Sequence, residues 1–312
     1  MTCRWCQGEK KAFLRRSLKV ESVLARFFSA EEICQFHDIQ SATGLLLSGS
    51  GSYQFFSRES YDTDLDTYCM LRECLAVGQW YLSAQYMFKP KAHQLGSFAA
   101  DFERVVEIDN RVNSEETEYG DDSIVEVWDF QNSQFKMIQL IAARHSAVEV
   151  ILCFHSTCVM NFISHRAAYA LFPRTTFKDK ATLILDNGYM SPGSTAGVEK
   201  YVRQGLKVIK SPLVARILDP TSDVAAVSPR FVNDSRTWRV PIEYHGRTKP
   251  QPDFAEANSF EMVYQGDMNK IMWTVITGPG LVHRYIVAPS DWALMKLKLR
   301  AIHDLMDDGI LQ

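Results

Sequence analysis

An acid–apolar–acid triplet, Asp64-Leu65-Asp66, stands downstream of a Gly/Ser turn, and that order constrains the fold more than any other feature of this 312-residue chain. The triplet lies within Ser60 to Tyr68 and the turn within Leu45 to Ser52, with thirteen residues between Ser50 and Asp64. Side chains two apart on a strand project to one side. Asp64 and Asp66 can therefore converge on one cation, while Leu65 points into the core. Carboxylate oxygens suit a hard ion such as Mg2+, commonly shared with substrate phosphates. The backbone N–H groups of a Gly/Ser turn suit phosphate oxygens. Asp-x-Asp pairs and Gly-Ser linkers each occur by chance. Here an apolar run, a small-residue turn, an aromatic-rich segment and an acidic strand follow one another, a strand–turn–helix–strand unit that points to a nucleotide–metal site.

Composition narrows the partners. The chain is 46% hydrophobic and 12% aromatic, enough for a substantial core, and its formal net charge is -3. No global basic field draws it to nucleic acid or a membrane surface. The longest apolar stretch, Ala147 to Ile163, is interrupted by Glu149, His155, Ser156 and Asn161, so no membrane span is expected. The N-terminus lacks an apolar secretory core, and seven cysteines are an odd number. Reduced thiols and a cytoplasmic or nuclear location are expected, not secretion. Cys3-x-x-Cys6 is half of a zinc-ligand pattern with no second pair to match it.

Along the chain, residues 1–28 read as a polar arm and an amphipathic helix. Ser29-Ala30-Glu31-Glu32 is a capping box opening a helix to about Ser41. Thr43 to Leu47 reads as a buried strand, Ser52 to Arg58 as a short helix and Leu65 to Met70 as the acidic strand. Val77 to Phe88 reads as a helix with its following turn, and residues 109–123 as an exposed acidic loop. Ile124 to Phe130 and Phe135 to Ala142 form a hairpin through Gln131-Asn132-Ser133-Gln134. Ser146 to Phe154 reads as a helix, Cys158 to Ile163 as a strand and Arg166 to Leu171 as the start of another helix. Beyond residue 175 come a Gly/Ser/Pro loop (Gly188 to Gly197), a basic helix (Val198 to Ile209) and a proline-rich stretch. Strands at Met262 to Tyr264 and Ile271 to Ile276 precede a terminal amphipathic helix from Asp291 to Met306. These assignments divide the chain into an N-terminal arm and helix (1–28), a core (29–175) and a helical and mixed C-terminal region (176–312) that completes the cleft. The fold class is α/β, with helices flanking a small mixed sheet.

Gly49-Ser50 followed by Asp64-Leu65-Asp66-Thr67 resembles the signature of the polymerase-β-type nucleotidyltransferase fold. The runs beginning at Ser48, Phe154 and Ala168 (Ala-Tyr-Ala-Leu-Phe-Pro-Arg-Thr-Thr-Phe) resemble a large group of nucleotidyltransferase-like proteins of mushroom-type fungi, over roughly residues 18 to 245. Glu199-Lys200-Tyr201-Val202-Arg203-Gln204-Gly205 resembles a Lys-Tyr-x-x-Arg-Gly helix of related proteins. The resemblance implies that Asp64 and Asp66 hold Mg2+ (or Mn2+) and that Gly49, Ser50 and Ser52 cradle the phosphates of a nucleoside triphosphate. Lys200, Tyr201 and Arg203 would grip the nucleotide, although a solvated basic helix explains them equally well. The implied reaction passes a nucleoside monophosphate to an acceptor hydroxyl on RNA, a protein or a small molecule. The implied third acid has no place on the second hairpin strand, where Gln139 stands instead. Glu126 ranks first as a substitute and Glu149 second, with Asp129 also near. The missing acid leaves open a nucleotide-binding module without turnover.

Overall fold

The computed structural model describes residues 19–59, 62–114, 123–185, 192–266, 268–278, 281 and 283–307. Cys3 and Cys6 lie outside these residues, as do most of the acidic loop and the first half of the Gly/Ser/Pro loop. The main sheet has eight strands in the order β11-β7-β6-β1-β2-β5-β4-β3. They are β1 (Leu46–Ser48), β2 (Leu65–Met70), β3 (Met87–Lys89), β4 (Ile124–Gln131), β5 (Met137–Ala143), β6 (Asn161–Ile163), β7 (Ala167–Ala170) and β11 (Trp238–Pro241). Within this sheet only β2 and β5 run parallel. The described residues thus form a mixed α/β fold, as expected.

Alternation along the central strands fills two cores. Leu45, Leu47, Leu65 and Cys69 enter one face, with Phe36, Val77, Tyr81 and Phe98. Leu46, Tyr68, Ile141 and Phe162 enter the other, with Val148, Ile151, Phe260 and Ile271. The first face is covered by α1 (Glu21–Leu24), α2 (Ala30–Thr43), α4 (Leu71–Ser83) and α5 (Phe98–Ser114). Ser29 and Glu32 form the anticipated capping box, and Gly44 ends α2 at φ +68°, the left-handed region glycine tolerates. The second face is covered by α6 (Ala147–Leu152) and by a smaller sheet, β10 (Arg230–Phe231), β12 (Ser259–Gln265) and β13 (Met268–Met272).

Several assignments change. Arg166 to Leu171 is not helical: its centre is β7, buried throughout and paired with both β6 and β11. Ladder pairing on both edges outweighs the helix preference of an alanine-rich run. Helix α5 extends to Ser114, into the stretch read as loop. The basic helix is α7 (Pro192–Arg203), followed by β9 (Lys207–Ile209) parallel to β8 (Ala181–Leu183). The boundary at residue 175 is crossed by the main sheet, because Trp238–Pro241 supplies its edge strand. A short helix α8 (Val214–Leu218), a two-stranded ribbon of β14 (Thr274–Ile276) and β15 (Tyr285–Val287), and the terminal helix α9 (Pro289–Asp307) complete the chain. Among the described residues, no helix is long and apolar enough to cross a membrane.

Candidate functional site

Strand β1 runs directly into helix α3 (Gly49–Ser57), so the Gly/Ser turn is itself the helix start. Gly49 has φ +63°. A Cβ there would fall within the van der Waals shell of Asp66 Oδ2. The turn is therefore packed against the second acid of the triplet, which only glycine permits.

Asp66 lies on β2 and Asp64 one residue before it. The approach to the strand is pinned. Arg26 and Lys136 both reach Asp62 Oδ1, at 3.0 and 2.8 Å, and Gln54 Nε2 donates to Thr63 Oγ1 at 3.0 Å. Asp64 is exposed, whereas the Asp66 carboxyl is drawn inward. Burial, then the charge of Asp64, push the Asp66 carboxyl up to about 7, against the pull of Lys200 and the Ser50 N–H. Burial, then Asp129 and Asp62, raise Asp64, and Lys200 again opposes. Two carboxylates that repel one another in a partly desolvated site form a donor set suited to a cation.

Ser50 joins three elements. Its backbone N–H donates to Asp66. Its hydroxyl accepts from Lys200 Nζ at 2.6 Å and is hydrogen-bonded to the Tyr201 hydroxyl. Lys200 and Tyr201 sit on α7, and the Lys200 ammonium also lies 5.7 Å from the centre of the Tyr201 ring. Tyr201 in turn packs edge-on to Tyr53 of α3, centroids 4.9 Å apart. Gly197 lets α7 come close: a Cβ there would stand 2.8 Å from His155 Nε2. Residues 150 apart in sequence thus meet at the N-terminus of α3, where the Lys200 ammonium lies against the first turn of the helix.

Other expected site residues lie elsewhere. Ser52 Oγ donates to the carbonyls of Gly49 and Asn161 at 3.0 and 2.8 Å, so it braces α3 against β6 and does not face the turn's N–H groups. Ser50 and Ser52 are two apart on a helix and point to different sides. Arg203 is exposed, and no hydrogen bond or ion pair among the described residues ties it to the site. Glu126 is on the face of the sheet opposite to Asp66, with Trp128 and Phe130; it receives Gln94 Nε2 at 3.0 Å and Arg104 at 3.4 Å. Glu149 is a buried residue of α6 itself, bonded to His145 at 3.1 Å and to Trp273 Nε1 at 3.3 Å.

The acid that does share the Asp66 face is Asp129. Asp66 on β2 pairs with Gln139 on β5, and Gln139 pairs with Asp129 on β4. Gln139 Nε2 donates to Asp129 Oδ1 at 3.0 Å, and Lys91 lies 3.4 Å from its other oxygen. Strand alternation carried the signal, since Asp129 and Glu126 are an odd number of residues apart and only one can face the cleft. Among the described residues, no group of three or more His, Cys, Asp or Glu side chains is close enough to hold a metal ion.

Comparison with known proteins gives no relative: no family model, no curated protein and no solved structure matches the chain.

Proposed function

We propose that this protein is a metal-dependent nucleotidyltransferase that transfers a nucleoside monophosphate from a nucleoside triphosphate to an acceptor hydroxyl. The observation that carries the reading is Ser50, whose N–H reaches Asp66 while its hydroxyl meets Lys200 and Tyr201. A helix start, a lysine and a carboxylate pair converging on one point make a phosphate-and-cation site.

The N–H groups at the start of α3 bind phosphate oxygens, and Lys200 neutralises part of their charge. Tyr201 holds Ser50 and so fixes the turn. Asp64 and Asp66, with Asp129 beyond Gln139, would hold Mg2+ (or Mn2+), which supplies charge neutralisation at the triphosphate when bound. The acceptor oxygen bonds to the α-phosphorus as the bond to the pyrophosphate oxygen breaks, and the acceptor's proton passes to water.

One observation favours a second reading. Gln139 occupies the place between Asp66 and Asp129, and Asp129 is already engaged by Gln139 and Lys91. An amide there and a neutralised third acid describe a site that binds a nucleotide without turnover. Incubation with each nucleoside triphosphate plus Mg2+ or Mn2+, monitored for pyrophosphate, separates the two. Binding by equilibrium dialysis is the second readout. Asp64→Asn combined with Asp66→Asn should abolish metal-dependent nucleotide binding in a folded protein. Undiminished binding by that double variant overturns both readings, whereas binding without pyrophosphate release in the parent selects the second.

A further inference from the structure

The ring of Phe177 is the centre of an aromatic wall. It stacks on Trp238 at 5.8 Å and 15°, and packs on Tyr53 at 5.5 Å and Phe56 at 5.7 Å. The wall bounds a cavity of about 610 Å³, within the range typical of small-molecule sites. None of Gly49, Ser50, Asp64, Asp66 and Lys200 lines it. Tyr53 links the two places, since it lines the cavity and packs on Tyr201.

The backbone that presents Phe177 is a single π turn over Arg174–Lys178, closed by the Asp179 N–H on the Arg174 carbonyl at 2.8 Å. Such wide turns recur at functional sites. This one gives adjacent threonines opposite fates. Thr175 is satisfied twice by Asp223, through its N–H and its hydroxyl, both at 2.7 Å. Thr176 is 2% exposed and lines the cavity, and its hydroxyl has no partner among the described residues. Gln204, one turn beyond Tyr201, lines the same cavity, and its buried Oε1 also has no partner among them. Buried polar atoms are nearly always hydrogen-bonded, and two such atoms on one cavity point to a bound molecule that completes them. Gln204 Oε1 can only accept, so the molecule must bring an N–H or O–H donor. Of the charges on the lining, Arg239 is paired with Glu256 at 2.6 Å, and Arg58 and Lys180 outnumber Glu59, which favours an anion.

We propose that this cavity binds a planar aromatic anion bearing an N–H donor: its ring on the Phe177–Trp238 face, its donor on Gln204 and its charge toward Lys180. The site does not depend on Asp64 or Asp66. A nucleotide base and a small aromatic acid share this chemistry, and two probes distinguish them: adenosine monophosphate and 2-aminobenzoate, titrated calorimetrically in metal-free buffer. At least one should bind saturably, and which one identifies the source. Trp238→Ala should weaken that probe tenfold or more. Gln204→Leu should weaken 2-aminobenzoate but leave benzoate, which lacks the amino group, unchanged; for the nucleotide the matching control is purine riboside monophosphate. Lys180→Glu, at an exposed position, should weaken binding without touching the core. The Asp64→Asn, Asp66→Asn protein should bind as the parent does, so failure here and failure of the nucleotidyltransferase reading are told apart. Absence of binding by both probes at millimolar concentration overturns the proposal. So does binding that all three cavity variants leave unchanged, or that the double aspartate variant removes.

Discussion

A carboxylate packed against a glycine Cα has no room to yield, and Gly49 and Asp66 are in that position. Gly49→Ala adds two costs: a Cβ against Asp66 Oδ2 and a side chain at φ +63°. The positive φ alone costs about 1 kcal/mol, so we expect a loss on the order of 2 kcal/mol in urea unfolding, together with a more than tenfold loss of nucleotide affinity. Asp66→Ser should relieve part of it, so the double variant should lose less than the two single variants summed. Strict additivity would refute the contact. For the third acid, Asp129→Asn should weaken metal-dependent nucleotide binding, and Glu126→Gln should leave it unchanged, because Glu126 faces the other side of the sheet. Equal effects in dialysis would contradict the assignment. His37 sets a pH dependence away from this site. It is buried, and its Nδ1 accepts the His245 N–H at 3.1 Å. Burial, then the charge of His245, depress it from 6.5 to about 4, with Glu21 and Asp38 pulling upward and His165 downward. The unfolded chain therefore takes up a proton at a pH where the folded one does not. Stability is full above the unfolded value of about 6.5 and is lost as pH falls toward 4, by on the order of 3 kcal/mol. His37→Gln can still accept the backbone N–H and should flatten the melting profile over that window; a profile identical to the parent's would count against His37 as its source.

Elements with a strong local signal were legible in the sequence, and those decided by distant partners were not. The capping box at Ser29, the strand Leu65–Met70 and the hairpin around Asn132 are where the pattern placed them. Asn132 Oδ1 accepts from both Gln134 and Lys136 at 3.0 Å, the local bonding that makes such a tetrapeptide turn. Ser50, Lys200 and Tyr201 meet in the fold, but in the sequence only the resemblance of Glu199 to Gly205 to a Lys-Tyr-x-x-Arg-Gly helix linked the latter two to the turn. Ser52 and Glu126 were misplaced because chain spacing does not say which way a side chain points. Strand β7 and helix α5 escaped for the same kind of reason. Alanine on a doubly paired central strand looks helical in isolation, and α5 shows mostly its charged side in sequence. What ties α5 down is Asp101, fully buried, which accepts from Leu95 N–H at 2.9 Å, Arg104 Nε at 2.8 Å and Trp128 Nε1 of β4 at 2.8 Å. Burial alone would raise its carboxyl, but Arg104, Leu95 and Trp128 together hold it below the usual range. Asp101→Ala strands the Trp128 N–H in the core and should cost about 3 kcal/mol or more. Differential unfolding, with hydrogen exchange on α5, checks it. A loss below about 1 kcal/mol would mean that a water replaces the carboxylate.

At the scale of the molecule, the main sheet crosses the division at residue 175. The proline-rich stretch that suggested a separate region carries β11, whose four residues close the main sheet against β7. It also carries Arg230, wholly buried between Phe172 and Phe260, 5.4 Å from each ring, and bonded to the Leu171 carbonyl at 2.9 Å and Asp234 at 2.6 Å. Tyr201 and Leu206 complete the small core around Tyr53. Phe260, Met262 and Ile271 cover the sheet face that Leu46, Phe162 and Tyr169 present. A chain ending at residue 175 would keep the acidic strand and the Gly/Ser turn, yet expose the β7 edge, uncover that apolar face and lose Lys200. An uncovered edge and face favour aggregation over independent folding. The truncated chain should therefore show no cooperative thermal transition by circular dichroism and should elute as aggregate, while the full chain unfolds cooperatively. A monomeric fragment with a sharp transition would restore the boundary at 175. It would also mean that the cleft between Ser50 and Lys200 is assembled from two folding units rather than one.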